Sequence, residues 1–319
     1  MKINPKSYIK ATLLATVLTV GGSVYKCTTT RDSVPVKDTV EFAHPTAQKL
    51  IASMENGAKY SKVVFTHSYN NPRMLKPDSI DNYSEVPRAM LDTLKQLADT
   101  MELYYQVYRG KADNAIQKAR GKKPNLVTVG HGNTGRDYIT LAGGLKAYEG
   151  DYISQYAVDS LFNSAVIEKD SILKVHISPN TYDNLEPYQK DAILSYLFNV
   201  NEKILNKHDS KRAIPESFWE CIEQGKLPQA QAKFNVEPSS SKAAAGLAKR
   251  NIIQMLVFGN GEIYDNKYSK ANFNKQLSII KNRANYFLLK KEIIDILRNY
   301  GIEEEKLTKL EVIFDNKSI

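Results

Sequence analysis

Two glutamates and one threonine stand where their types and spacing could do chemistry. Glu55 closes an amphipathic run, with Leu50, Ile51 and Met54 before it and Gly57 after it. A carboxyl group held against apolar neighbours keeps its proton closer to neutral pH and can serve as a general acid. Glu102, in Thr100-Met-Glu-Leu-Tyr-Tyr105, is the alternative acid. It lies nearer to Thr128 in the chain, but a helical pattern runs straight through it. Thr128 offers a hydroxyl just ahead of a glycine-rich turn, Gly130-x-Gly132-x-x-Gly135. Each glutamate also reads as a solvated helix-face residue, and Thr128 as a plain strand threonine.

The glycine spacing matches the dinucleotide-binding fingerprint, which requires a helix immediately afterwards to meet the phosphates. Arg136–Thr140 reads instead as a second strand, so the dinucleotide reading is set aside. His131 reads as a core or hairpin histidine. The five histidines are scattered and there are two cysteines, Cys27 and Cys221. No metal-ligand cluster and no cofactor are expected. Cys221, close to Trp219, reads as a helix-core thiol.

The elements that must position these residues follow from apolar periodicity. His44-Pro45-Thr46 opens a helix, with Pro45 suited to its first turn, and Glu55-Asn56-Gly57 ends it. Val63–Phe65 is a short strand, and Asn70–Asn82 a loop. A long helical pattern is expected over Glu85–Arg120. Asn125–Gly135 reads as strand and turn, with Asp137–Thr140 as the returning strand. From Lys146 onward the pattern is mostly helical, with strong segments at Pro187–Asn206, Ser217–Cys221 and Gly246–Phe258. The lysine-rich stretch 272–319 is expected to be helical, with a last short strand at Leu310–Phe314. The fold class is α+β, mainly α.

The segment Thr128-Val-Gly-His-Gly-Asn-Thr-Gly135 resembles the active-site hairpin of phage-type lysozymes, glycoside hydrolase family 24. The family's usual form is Thr-Ile-Gly-Tyr-Gly-His-Thr. The resemblance is closest to signal-anchored endolysins, and it continues downstream in the family's order. Asp191–Val200 resembles the buried central helix. Ser217-Phe-Trp219, Ile222-x-x-Gly225 and Ala230-x-x-x-Phe234 resemble the helix pair that follows, and Gly246-Leu-Ala-Lys-Arg250 the closing segment. There are departures: Asn133 replaces a histidine, Asn201 a glycine and Gln254 a glutamate. The family places its glutamate about fifteen residues before the threonine, where this chain has Asp113.

The resemblance implies a lysozyme-like fold, with a small β-hairpin lobe holding the Glu55 helix and a larger helical lobe over 146–258. The domain layout is then an N-terminal signal anchor at 1–27, a linker at 28–42, a lysozyme-like domain at 43–258 and a basic C-terminal extension at 259–319. A helical insertion of about 60–124 separates Glu55 from the hairpin. The implied activity is that of a peptidoglycan muramidase, hydrolysing the β-1,4 bond between N-acetylmuramic acid and N-acetylglucosamine. Glu55 is the acid, Glu102 its alternative, and Thr128 the hairpin residue at the bond. A second carboxylate usually assists such hydrolysis. Asp78, Asp81 and Asp113 are the available ones, and none has a convincing context. Two alternatives therefore stand beside the muramidase: a lytic transglycosylase, and a membrane-anchored wall-binding protein with a decayed active site.

Charge agrees with an anionic partner. The net charge is +9 and the isoelectric point about 9.2, which suits an acidic wall polymer or lipid. Peptidoglycan is the expected partner, nucleic acid is not, and the chain is expected to be a monomer. Met1–Lys10 carries three lysines and no acid, and Ala11–Tyr25 is uncharged and mildly apolar. That is the layout of a signal peptide or signal anchor, which places the bulk of the chain outside the cytoplasm, in the cell envelope or periplasm.

Overall fold

The computed structural model describes residues 40–54, 63–66, 74–76, 83–85, 102–110, 114–115, 117–118, 121–200, 205–206, 214–236 and 241–316. The N-terminal segment 1–27 and Glu55 lie outside the described residues, as do Asp78, Asp81 and Asp113. Among the described residues the fold is mainly helical with small antiparallel sheets, an α+β arrangement. No described helix is long and apolar enough to cross a membrane.

Helix α1, Pro45–Met54, starts at the proline as its sequence requires. Its buried residues Ala47, Leu50, Ile51 and Met54 recur at helical spacing. Four short strands follow: β1 Val63–Thr66, β2 Met74–Leu75, β3 Tyr83–Glu85 and β4 Glu102–Gln106. Where the expected helix over Glu85–Arg120 is described, it is instead the end of β3, strand β4 and short helical pieces at 114–115 and 117–118; residues 86–101 lie outside the described residues. Strand β4 explains the misreading. Leu103, Tyr105 and Val107 enter one core while Tyr104 packs with Leu75 and Tyr152 on the other side. A strand buried on both faces shows a continuous apolar run, which periodicity cannot separate from a helix.

Strands β5 Leu126–Val129 and β6 Asn133–Arg136 form a hairpin with Thr128 opposite Thr134. Strands β7 Tyr138–Thr140 and β8 Lys146–Tyr148 form a second one. The strand returning from the glycine turn is therefore β6, and the expected returning strand at Asp137–Thr140 pairs forward instead. The glycines let the chain reverse within three residues, earlier than the apolar pattern suggests. Strand β9, Tyr152–Ser154, joins β2 and β4, giving a sheet in the order β2-β9-β4-β1-β3.

Helix α2, Gln155–His176, follows directly, with the Ser154 hydroxyl accepting from the Ala157 amide. Its 22 residues span about 33 Å, and it belongs to both cores. Ala157 and Val158 pack among the strands, whereas Phe162, Val166 and Leu173 enter the helical core. Short helix α3, Pro179–Asn184, leads to α4, Pro187–Asn199. In α4 every residue from Asp191 to Leu197 is buried, the mark of a helix surrounded by others. It packs against α1, α2 and helix α7, Ser241–Phe258. Helices α5, Phe218–Glu223, and α6, Leu227–Gln231, close one side.

The C-terminal stretch folds into α8 Lys267–Lys281, α9 Tyr286–Tyr300 and α10 Glu304–Asp315. The expected strand at Leu310–Phe314 is the end of α10. Leu307, Leu310 and Phe314 lie three and four residues apart and are all buried, a helical spacing that outweighs the β-branched Val312 and Ile313. These helices bury Phe273, Leu277, Ile293, Leu297 and Phe314 in the same core as α1 and α4.

Candidate functional site

Helix α1 is fixed against α2 by one side chain. Asn163 accepts hydrogen bonds from the Ala43 amide and from Gln48 Nε2, both at 3.1 Å, and donates to the Glu41 carbonyl at 3.2 Å. The two helices splay from that clamp and leave a cleft of about 400 Å³ between them. Gln48, Lys49 and Ala52 line it from α1, and Gln155, Asp159 and Phe162 from α2. Positions 155, 159 and 162 form one row along a helix face. Leu103 of β4 lies at one end.

The glycine turn completes the wall. Gly130 has φ +56° and Gly132 φ +92°, values that L-residues adopt at a cost. Gly130 lies directly on α2, so close that a β-carbon would meet Val158 Cγ1 at 2.4 Å. The intervening His131 reaches the cleft and packs on Phe162, with ring centroids 4.6 Å apart. Phe162 in turn meets Phe198 of α4 edge-on at 5.6 Å. The turn is thereby seated on the central helices through a row of rings. No dinucleotide-type helix follows the glycines, because the chain continues into β6.

Thr128 is 4% exposed and lies on the strand side opposite Val127 and Val129, which enter the strand core. Its backbone bridges to Tyr108 in both directions, at 2.8 and 3.0 Å. Its hydroxyl has no hydrogen-bond partner among the described residues, and neither do the buried Asn133 Nδ2 in the same hairpin and Gln48 Oε1 in the cleft. Buried polar atoms are seldom left so. Of the three residues only Gln48 lines the cleft; Thr128 and Asn133 are not among its lining residues.

Of the other expected site residues, Glu55 lies outside the described residues, and α1 ends at Met54, the residue before it. Glu102 falls on strand β4, paired with Thr66, rather than within a helix.

Sequence reasoning missed Asp159. It lines the cleft and accepts a hydrogen bond from Gln155 Nε2 at 2.6 Å. Gln155 is oriented by Tyr105, whose hydroxyl donates to Gln155 Oε1 at 2.5 Å. The only signal in the sequence was the row Gln155, Asp159 and Phe162, and an aspartate on a helix face is too common to stand out. Among the described residues no three of His, Cys, Asp and Glu are grouped to hold a metal ion. No family model, curated protein or solved structure matches the chain.

Proposed function

We propose that the chain is a peptidoglycan muramidase of lysozyme-like fold, cleaving the β-1,4 bond between N-acetylmuramic acid and N-acetylglucosamine. The observation that carries this reading is the convergence of α1, the glycine turn and α2 on one cleft. Two of these elements, α1 and the glycine turn, carry pieces of the lysozyme-like motif set. Positions 45, 48, 49 and 52 of α1 line the cleft, and in the sequence Glu55 follows directly on the last residue of that helix. In this reading Glu55 is the acid and Glu102 its alternative. A protonated Glu55 delivers its proton to the leaving glycosidic oxygen, with Thr128 serving the same hairpin role as its counterpart in the lysozymes.

Gln48 lines the cleft, and its buried Oε1, which has no hydrogen-bond partner among the described residues, suits a donor group of an amino-sugar chain. The net charge of +9 suits an anionic wall. In this reading the N-terminal segment 1–27 carries the enzyme into the envelope as a signal or anchor, and it works there as a monomer.

Zymography on purified sacculi tests the assignment with the wild type, Glu55→Gln and Glu102→Gln. The expected result is clearing by the wild type and by Glu102→Gln, and none by Glu55→Gln. Full activity of Glu55→Gln would remove it as the acid. Mass spectrometry of the products separates the reactions: reducing ends mark hydrolysis, whereas anhydro-sugars mark a lytic transglycosylase. Sacculus binding without clearing by any form marks a wall-binding protein.

A further inference from the structure

We infer that Asp159 is the second carboxylate of this site, the group that activates water beneath the sugar ring; this rests on the glycosidase reading above. Among the described residues that line the cleft, Asp159 is the one that carries a carboxylate. Two buried aspartates of the helical core lie away from the cleft. Asp170 is held by Lys174 and by the Tyr182 hydroxyl, and Asp191 by the Tyr300 hydroxyl. Both serve packing at helix contacts. Asp159 lines the cleft and accepts from Gln155, which a tyrosine holds in turn.

The relay runs from the Tyr105 hydroxyl, which donates to Gln155 Oε1, through Gln155 Nε2, which donates to Asp159 Oδ1 at 2.6 Å. A glutamine free to rotate could offer either its oxygen or its nitrogen. An ionised aspartate takes only the nitrogen end, which leaves the oxygen to accept from the Tyr105 hydroxyl, so the two contacts hold the amide in the same orientation. A donor favours the ionised form, which is the form needed to accept a proton from water. Tyr105 is 3% exposed, in the strand core, and Gln155 opens α2, so the relay stands on rigid elements.

In the reaction this carboxylate takes one proton from a water molecule. The water oxygen bonds to the anomeric carbon as the bond from that carbon to the glycosidic oxygen breaks. The electron pair of that bond stays on the leaving oxygen, which takes the proton of Glu55. One water is consumed and two sugar ends are produced, with Asp159 protonated and Glu55 ionised until they exchange the proton with solvent. Tyr105 and Gln155 are positioning residues.

The test uses the full chain on purified sacculi and on an activated chitooligosaccharide. Asp159→Asn is expected to lower kcat at least 100-fold while KM changes less than threefold. Asp159→Ala is expected to regain turnover with added azide and to form an α-glycosyl azide, since the small anion enters the space of the lost carboxylate and its water. Tyr105→Phe keeps the ring but releases Gln155. It is expected to move the acidic limb of the kcat/KM profile to higher pH, because the amide, held at one end only, donates less firmly to the aspartate and favours its ionised form less.

An Asp159→Asn enzyme with kcat within threefold of wild type would overturn the assignment and leave the glycosidase reading intact. So would a folded Asp159→Ala protein that azide does not rescue. If the aspartate variants do not fold, an unmoved pH profile in Tyr105→Phe overturns it. A wild type that binds sacculi but cleaves neither substrate overturns the reading and the inference together.

Discussion

Gly130 rests on Val158 so closely that a β-carbon at position 130 would stand 2.4 Å from Val158 Cγ1. The contact seats the glycine turn on α2 and sets where His131 enters the cleft. Gly130→Ala therefore meets two penalties, a side chain at φ +56° and a collision with a rigid β-branched residue. Together these should cost roughly 2–4 kcal/mol. Gly143, at φ +84° with open space around it, is the control, and Gly143→Ala should cost only about 1–2 kcal/mol. Urea denaturation of the two variants checks the difference. Equal losses would mean that the turn does not bear on α2.

Thr128 joins a stability prediction to a functional one. Its buried hydroxyl has no partner among the described residues, and a buried unpaired hydroxyl costs about 1–3 kcal/mol. Thr128→Val keeps the shape and removes that cost. The variant is expected to be as stable as wild type or about 1 kcal/mol more so, while clearing of sacculi falls at least tenfold. Such a gain in stability with loss of activity marks a group kept for a ligand. A variant that loses both would show that the hydroxyl serves the fold.

How far the sequence reached differs between the two cores, for a physical reason. The helical core was legible because its helices are long enough for their spacing to repeat. Ala192, Ile193, Tyr196 and Leu197 fall at core positions as expected and are buried. Ser217 caps a helix whose Phe218, Trp219 and Cys221 are buried. The strand core was not legible. Its strands are two to five residues long, too short for alternation to establish itself, and β4 is apolar on both faces. In the site, the glycine turn announced itself through residues that few other structures demand. Asp159 did not, because its donor Gln155 is held by Tyr105, which lies fifty residues before that glutamine and on another element.

Cys221 is 0% exposed, and burial pushes its thiol up to about 11 from an ordinary 9.0. Only the thiolate reacts, and each pKa step is a tenfold change in its share below the pKa. At pH 8 the native thiol should therefore react about 100-fold more slowly than an ordinary cysteine from this effect alone, with burial slowing it further. A thiol-exchange reagent is expected to modify Cys221 only on unfolding, at a rate that follows urea concentration. Rapid labelling in the native state would show that α5 opens on its own.

Asp191 on α4 accepts a hydrogen bond from Tyr300 on α9 at 2.8 Å. Burial raises its carboxyl above the ordinary carboxylate range, against the lowering effect of hydrogen bonds from Thr46 and Tyr300. The folded chain thus holds this proton more tightly than the unfolded chain does. The contribution of Asp191 to stability is most favourable below the unfolded pKa and declines as pH rises through the raised folded value. Asp191→Asn removes the charge and keeps an acceptor for Tyr300. Its stability relative to wild type should be higher at neutral pH, and the difference should shrink as pH falls through the Asp191 titration. Parallel stability curves for the two proteins across that range would contradict the assignment.

The same contact bears on whether the last three helices can be removed. Phe273, Leu297 and Phe314 are each 0% exposed and share a core with α1 and α4. Polar ties run in the same direction. Gln276 accepts from Asn251 of α7 at 3.2 Å, and Ser269 donates to the Pro228 carbonyl at 2.6 Å. A unit merely appended to a finished domain would leave the domain's core closed without it. Here, removal strips apolar cover from α7 and from α1, which packs on α9. Phe273→Ala is expected to cost about 3–5 kcal/mol, and the whole chain should unfold in one transition. A chain ending at residue 258 is expected to lack cooperative unfolding and to be cleaved within α7 by a low dose of protease. If it instead melts as sharply as the full chain and still clears sacculi, α8–α10 are dispensable to both fold and site.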